Sequence, residues 1–208
     1  MGDGVEQQQW TAGSTALVAM VPEADPLVAG ARGQYDPAAA AGVPAHVTVL
    51  YPFLPADQVD DGVRAALRAL FAGHQPFELD FAGFGRFPDL LWLAPEPDRP
   101  LRALTAAVEA GWPQAPAYGG RFEPVPHLTI AGGQPQETYE ALARALAPGL
   151  PLHSRVTEAS LVVHDGLRWQ LRETFLLGGE PGGLGAAVEA AGDSASGSAS
   201  SGPAPTGR

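Results

Sequence analysis

The chain has 208 residues, enough for one domain with a full core or for one domain of two similar halves. It is 45% hydrophobic with mean hydropathy near zero, has no cysteine, and carries a net charge of −11, all twelve basic residues being arginine. These values predict no membrane span, exclude disulfides, thiolate metal sites and a cysteine nucleophile, and argue against a surface that holds long polyanions, which needs basic patches that release counterions. Any phosphate chemistry should therefore be local to a pocket. No Lys or Arg precedes Arg32, and the apolar stretch from Ala16 to Val21 is too short for a secretory signal, so a cytoplasmic protein is expected.

Residues 1–12 are expected to be loose. Thr15 to Val21 reads as a strand, and Asp25 with Pro26 as a helix start leading to about Gln34. His46 to Tyr51 is a β-rich run. The segment from Asp57 to Ala72 carries Val59, Val63, Leu67, Leu70 and Phe71 at helical spacing. Phe77, Leu79 and Phe81 alternate with Glu78 and Asp80, the period of a half-buried strand, and Leu90 to Ala94 supplies its partner. Asp98 reads as the cap of a helix that ends at Gly111. A proline-rich loop from Trp112 to Pro126 follows, then a strand from His127 to Ala131 and a helix from about Gln136 to Ala147. Arg155 to His164 and Leu167 to Leu177 flank Asp165-Gly166 as a terminal hairpin. Residues 180–208, rich in Gly, Ser, Ala and Pro without an aromatic, read as a disordered tail. The second half thus repeats the first. The expected fold of residues 13–179 is α+β: two pseudo-twofold-related lobes, each a small mostly antiparallel sheet backed by helices, with a central cleft.

Corresponding strands of the repeat read Val43-Pro44-Ala45-His46-Val47-Thr48-Val49 and Val125-Pro126-His127-Leu128-Thr129-Ile130. Five histidines and nine threonines give about 0.2 His-x-Thr triplets by chance, so two in matching context point to a duplicated site. On a strand, residues two apart share a face, so each lobe presents one imidazole and one hydroxyl together. Two such pairs facing each other would surround one small anion. Breaking or forming a phosphodiester needs a base for the attacking oxygen, an acid for the leaving oxygen and donors for the phosphoryl oxygens. Histidine can fill either proton role near neutrality, hydroxyls can hold the oxygens, and no metal is required.

The paired motifs, with Gly42 to Phe53 around the first, resemble the 2H phosphoesterase superfamily, specifically its 2′-5′ RNA ligase (LigT-like) branch, over about Thr15 to Leu177. The resemblance implies a bilobal fold and metal-independent phosphoesterase activity on 2′,3′-cyclic phosphate ends or small cyclic nucleotides, with RNA processing as its context. It places His46 and His127 as the acid/base pair and Thr48 and Thr129 as phosphate-binding hydroxyls. The partner expected is a small cyclic nucleotide or an RNA terminus carrying a cyclic phosphate, with no extended nucleic-acid surface, no membrane and no cofactor. Alternatives are a nucleotide- or RNA-end-binding module without turnover, and a 2′-5′ RNA ligase.

Outside the motifs, Tyr51 could stack on a base, and Arg121 and Phe122, in the loop before His127, could touch phosphate or ribose. Arg32 and Arg86 are weaker candidates of the same kind. His74 and His153 read as loop residues, His164 as adjoining the hairpin turn, and Phe53 and the Trp92 strand as core.

Overall fold

Eight strands and five helices follow one another along the described residues, 10–179: β1 (Thr15–Met20), α1 (Asp25–Tyr35), the short α2 (Pro37–Ala40), β2 (His46–Leu50), α3 (Asp61–Ala72), β3 (Phe77–Phe87), β4 (Leu90–Glu96), α4 (Arg99–Gly111), β5 (Leu128–Gly132), α5 (Gln136–Leu146), β6 (Leu152–Val156), β7 (Glu158–His164) and β8 (Trp169–Leu176). In this computed structural model the expected 180–208 tail and most of the expected loose N-terminus lie outside the described residues.

The strands form two four-stranded sheets, ordered β2-β1-β7-β8 and β5-β4-β3-β6, every pairing antiparallel. The α+β architecture of two helix-backed antiparallel sheets is the one expected, but the lobes are not the two halves of the sequence. The repeating unit is strand-helix-strand-helix-strand, first as β1-α1-β2-α3-β3 and again as β4-α4-β5-α5-β7, and the last strand of each unit joins the other unit's sheet. The run from Arg155 to His164, expected as one strand, divides at Thr157: β6 lies on β3 in the second sheet, while β7 lies between β1 and β8 in the first. The apolar alternation changes phase here, from Leu152 and Val156 to Ala159, Leu161 and Val163 across the polar pair Thr157-Glu158, and that shift is the mark the change of sheet leaves in the sequence.

Helices are exchanged in the same way. α1 packs on β5 and α4 packs on β2, with α3 beneath β8 and α5 against α1. One continuous apolar core therefore lies under both sheets, joining Leu17, Val47, Leu161 and Phe175 of the first with Leu79, Leu93, Leu128 and Ile130 of the second. Burial of each of these side chains is worth roughly 1.5–3 kcal/mol, which fixes the sheets relative to each other.

Local boundaries shift for identifiable reasons. The helix expected from Asp57 is a short 3-10 turn (Ala56–Gln58) followed by α3, because the Asp60 carboxylate accepts the Val63 N–H at 2.8 Å and starts the helix there. The final hairpin turns through Asp165 to Arg168, its carboxylate accepting the N–H groups of Leu167 and Arg168, both at 2.8 Å. Those two bonds hold the Asp165 carboxyl below its ordinary range.

Candidate active site

β2 and β5 are the edge strands of their sheets and pack against each other, so the two His-x-Thr motifs meet where the sheets adjoin. Val47, Val49, Leu128 and Ile130 point into the core and are at most 2% exposed, whereas His46, Thr48, His127 and Thr129 are half-buried on the opposite faces. His46 is the first residue of β2, and His127 immediately precedes β5, which starts at Leu128, one residue later than expected.

Both rings are held alike. His46 Nδ1 lies 2.8 Å from the Pro44 carbonyl and His127 Nδ1 lies 2.7 Å from the Val125 carbonyl, in each case the residue two before the histidine. A carbonyl only accepts, so each neutral imidazole carries its proton on Nδ1 and keeps the Nε2 lone pair for chemistry. The shared Val-Pro is thus out of step by one: the equivalent residues are Pro44 and Val125, and the prolines do not superpose.

Burial is the main cause that lowers the pKa of both histidines, partly offset by the carbonyl bonds; for His46 it falls to about 4. A charge on His127 lowers His46 further, which places the two rings within electrostatic reach of one another.

Behind the motifs lies a buried ion pair that the sequence pattern did not announce. Asp36 Oδ2 accepts from Arg32 Nε at 3.1 Å and Nη2 at 2.8 Å, while Oδ1 accepts the Ala38 N–H at 2.9 Å. Arg32, read as a weaker candidate for a phosphate or ribose contact, is only 2% exposed. Its charge lowers the pKa of His46, and the Asp36 carboxylate raises those of both histidines. The signal available in sequence was the i, i+4 spacing of Arg32 and Asp36 at a helix end.

Aromatic side chains line both motifs. Register pairs Trp92 with Thr129, and the Trp92 ring lies 5.9 Å from His127, with Phe87 edge-on at 5.5 Å. Trp92, read as core, is instead half-buried on the motif side of its sheet, because Leu91 and Leu93 take the core face and alternation puts Trp92 opposite. Gly85 makes this seat: a Cβ there would lie 2.2 Å from the indole. On the first sheet, Val18 and Met20 pair with Thr48 and His46 and join an apolar cluster with Trp10, Tyr51 and Trp169. Tyr51 meets the edge of Trp169 at 6.2 Å, and its carbonyl accepts the Tyr118 N–H at 2.7 Å.

The remaining candidates scatter. Arg121 is exposed, and Phe122 is 69% exposed and edge-on to Tyr118. Arg86 lies over the Tyr139 ring. His153 pairs with Asp80 across β6 and β3, on the far strands of the second sheet from the motif. His74 follows α3, and His164, expected to adjoin the hairpin turn, is the last residue of β7 and is buried against Trp10 and Trp169. Phe53 is core, as expected. Among the described residues no group of three or more His, Cys, Asp or Glu converges as a metal cluster would, and no helix is long and apolar enough to cross a membrane.

Known proteins share this fold. Residues 20–168 match the family described as the 2′-5′ RNA ligase superfamily. A Shouchella clausii (strain KSM-K16) protein named as a phosphoesterase is 28% identical over 157 residues, 73% of this chain and 90% of that one. E. coli LigT in complex with 3′-AMP has a similar fold at a TM-score of 0.53 and 17% identity, over 80% of this chain and 98% of that one. TT0787 of Thermus thermophilus follows at 0.51 and 23%, over 80% and 99%. LigT has also been solved with NADP+ and with ATP. The fold, with two His-x-Thr motifs brought together on adjoining sheet edges, and the match over most of the chain agree: this protein belongs to the 2′-5′ RNA ligase superfamily, the 2H phosphoesterases.

Proposed function

We propose that the protein is a metal-independent phosphoesterase acting on 2′,3′-cyclic phosphate ends or small cyclic nucleotides, with His46 and His127 as the acid/base pair and Thr48 and Thr129 holding the phosphoryl oxygens. The observation that carries this reading is the matched Nδ1-to-carbonyl bond in both motifs, which leaves two Nε2 atoms for chemistry on adjoining strands.

In hydrolysis one Nε2 removes a proton from water as the water oxygen attacks phosphorus. The other, protonated, gives its proton to the ribose oxygen as the P–O bond breaks, leaving a phosphate monoester and a free hydroxyl. The threonine hydroxyls donate to the non-bridging oxygens as charge grows on them. The pair must hold one proton between them. Burial keeps both rings neutral in the empty site at pH 7, and an arriving phosphate anion restores the affinity for that proton. With the hydroxyl of a second RNA end in place of water, the same two transfers join that hydroxyl to the cyclic phosphate and free one ribose hydroxyl, which is how a 2′-5′ ligation would use the site.

With its excess of carboxylates, the chain favours a small or terminal phosphate over a long strand. Tyr51, Arg121 and Phe122 are the proposed substrate contacts beyond the phosphate. The test is a panel of 2′,3′-cyclic mononucleotides and RNA ends bearing the cyclic phosphate, incubated with purified protein and a chelator. Hydrolysis to monoesters is expected. Recovery of every substrate intact despite binding would replace the enzyme with a binding module.

A further inference from the structure

The carbonyls that lock the two imidazoles belong to chain segments that lead into β2 and β5 from loops, and a loop carbonyl stays in place only if something holds it. In the first motif Arg32, from α1, extends Nη2 to the Val43 carbonyl at 3.4 Å. In the second, Arg102, from α4, extends Nη1 to the Pro124 carbonyl at 2.9 Å. Val43 and Pro124 each lie three residues before the histidine of their motif, and each adjoins the residue whose carbonyl takes the Nδ1 proton. Both guanidinium groups are in turn aimed by a carboxylate one helical turn away: Asp36 for Arg32, and Asp98, bonded at 2.6 Å, for Arg102.

We infer that Arg32 and Arg102 are paired positioning residues, each bracing the lead-in segment that sets the ring orientation and tautomer of one active-site histidine. The inference rests on the two-histidine reading above. Neither arginine contacts the reacting atoms in this role. Each acts through two carbonyls in series: the guanidinium holds the first, and the segment so fixed presents the second to Nδ1. A fork of several donors on a rigid plane suits the task, because one side chain can satisfy a carboxylate and a carbonyl together.

Alike in role, the two braces are built differently. Arg32 is the eighth residue of α1 and its carboxylate follows it, whereas Arg102 is in the first turn of α4 and its carboxylate precedes it. They are therefore not aligned copies from a repeat, and the same contact has been reached from two helix positions. The surroundings differ too: the side chains of Arg32 and Asp36 are 3% and 5% exposed, those of Arg102 and Asp98 40% and 42%.

That exposure makes Arg102 the cleaner test. Imidazole nitrogen NMR of the full chain at neutral pH reports the tautomer of each histidine without any substrate. For Arg102→Met the His127 signals should move toward a mixed or Nε2-protonated state while those of His46 stay, with kcat on a 2′,3′-cyclic nucleotide falling roughly ten- to a hundredfold at near-constant KM. Arg102→Lys, which keeps one donor, should recover part of both. Because Arg32→Met alone would strand a buried carboxylate, its arm is Arg32→Met/Asp36→Asn, which removes both charges and keeps an acceptor for the Ala38 N–H; here His46 should move and His127 stay. Unchanged tautomers in folded variants, or equal movement of both histidines in each, would overturn the braces. A wild type with locked tautomers and no turnover would instead count against the phosphoesterase reading alone.

Discussion

In the first motif the residue before the histidine is Ala45, fully buried, whose N–H is taken by the Asp25 carboxylate at 2.9 Å. In the second it is Pro126, also buried, which has no N–H to satisfy. A buried backbone donor must be bonded or absent, and each motif uses one of the two solutions. The contrast extends through both lead-in segments and their surroundings: a buried ion pair behind His46 and a half-exposed one behind His127, an apolar floor of Val18 and Met20 beside the first motif and the Trp92 and Phe87 rings beside the second. What is duplicated is the position of two imidazoles, two hydroxyls and two carbonyls. The supporting residues are not, so each half of the site should fail in its own way when disturbed.

The largest effect tests whether the halves are equal where it matters. His46→Ala and His127→Ala should each reduce kcat on a cyclic nucleotide about 10²- to 10⁴-fold, and the double variant should be little worse than the poorer single, as for groups acting as a unit. Full activity in either variant would end the two-histidine scheme.

Stability should then separate the lobes. Arg32→Met leaves Asp36 buried and unpaired, an expected loss of about 3–5 kcal/mol in denaturant unfolding, whereas Asp98→Asn at the half-exposed pair should cost no more than about 1 kcal/mol. Equal losses would mean that the difference in burial has no energetic weight.

Next come the hydroxyls. Thr48→Val and Thr129→Val keep shape and remove a donor, and each should lower kcat about 10²-fold with the fold unchanged by circular dichroism. A drop confined to KM would assign them to ground-state binding. Smaller again, Pro126→Ala creates the buried donor that Ala45 has without an Asp25 to receive it, and should destabilise by about 1–3 kcal/mol, as Asp25→Ala should in the first motif.

The last contrast is acid-base. His46 keeps a neutral ring down to about 4, and His127 titrates below its ordinary 6.5. The free site therefore takes up its single proton only on the acid side of the ordinary imidazole value, so kcat/KM should peak in mildly acidic buffer, falling at lower pH as the base is lost and at higher pH as the acid is lost. As pH drops from 6.5 toward 4 the unfolded chain takes up protons that folded His46 refuses, so stability declines through the same window. A profile centred above 7 would show that burial does not govern these rings in solution.

The motifs were legible because all their information is local: alternation alone puts His46 with Thr48 and His127 with Thr129 on one face. Their supports were not. Asp25 and Asp98 have the sequence form of helix caps, yet neither caps; Asp25 reaches across to Ala45 and Asp98 to Arg102, uses that look identical in sequence to the capping one. Trp92 reads as core because hydrophobicity does not say which of two sheet faces a residue takes. The two-sheet architecture followed from the order of elements, but the partner of the final strand of each unit did not. The pattern from Phe77 to Phe81, or from Glu158 to His164, specifies a buried face and is silent on which sheet supplies the neighbours.

That exchange of strands has a consequence for the order in which the molecule can come into being. While the chain is being made, β1 and β2 are ready early, but the sheet that carries His46 remains a two-stranded ribbon until β7 emerges more than a hundred residues later. Two-stranded sheets are at best marginal in water. The first histidine is thus among the earliest site residues synthesised and the last to be set, and activity should appear on a ribosome-bound chain only once His164 has cleared the exit tunnel. Pairing over such sequence distances also predicts slow folding for a domain of this size.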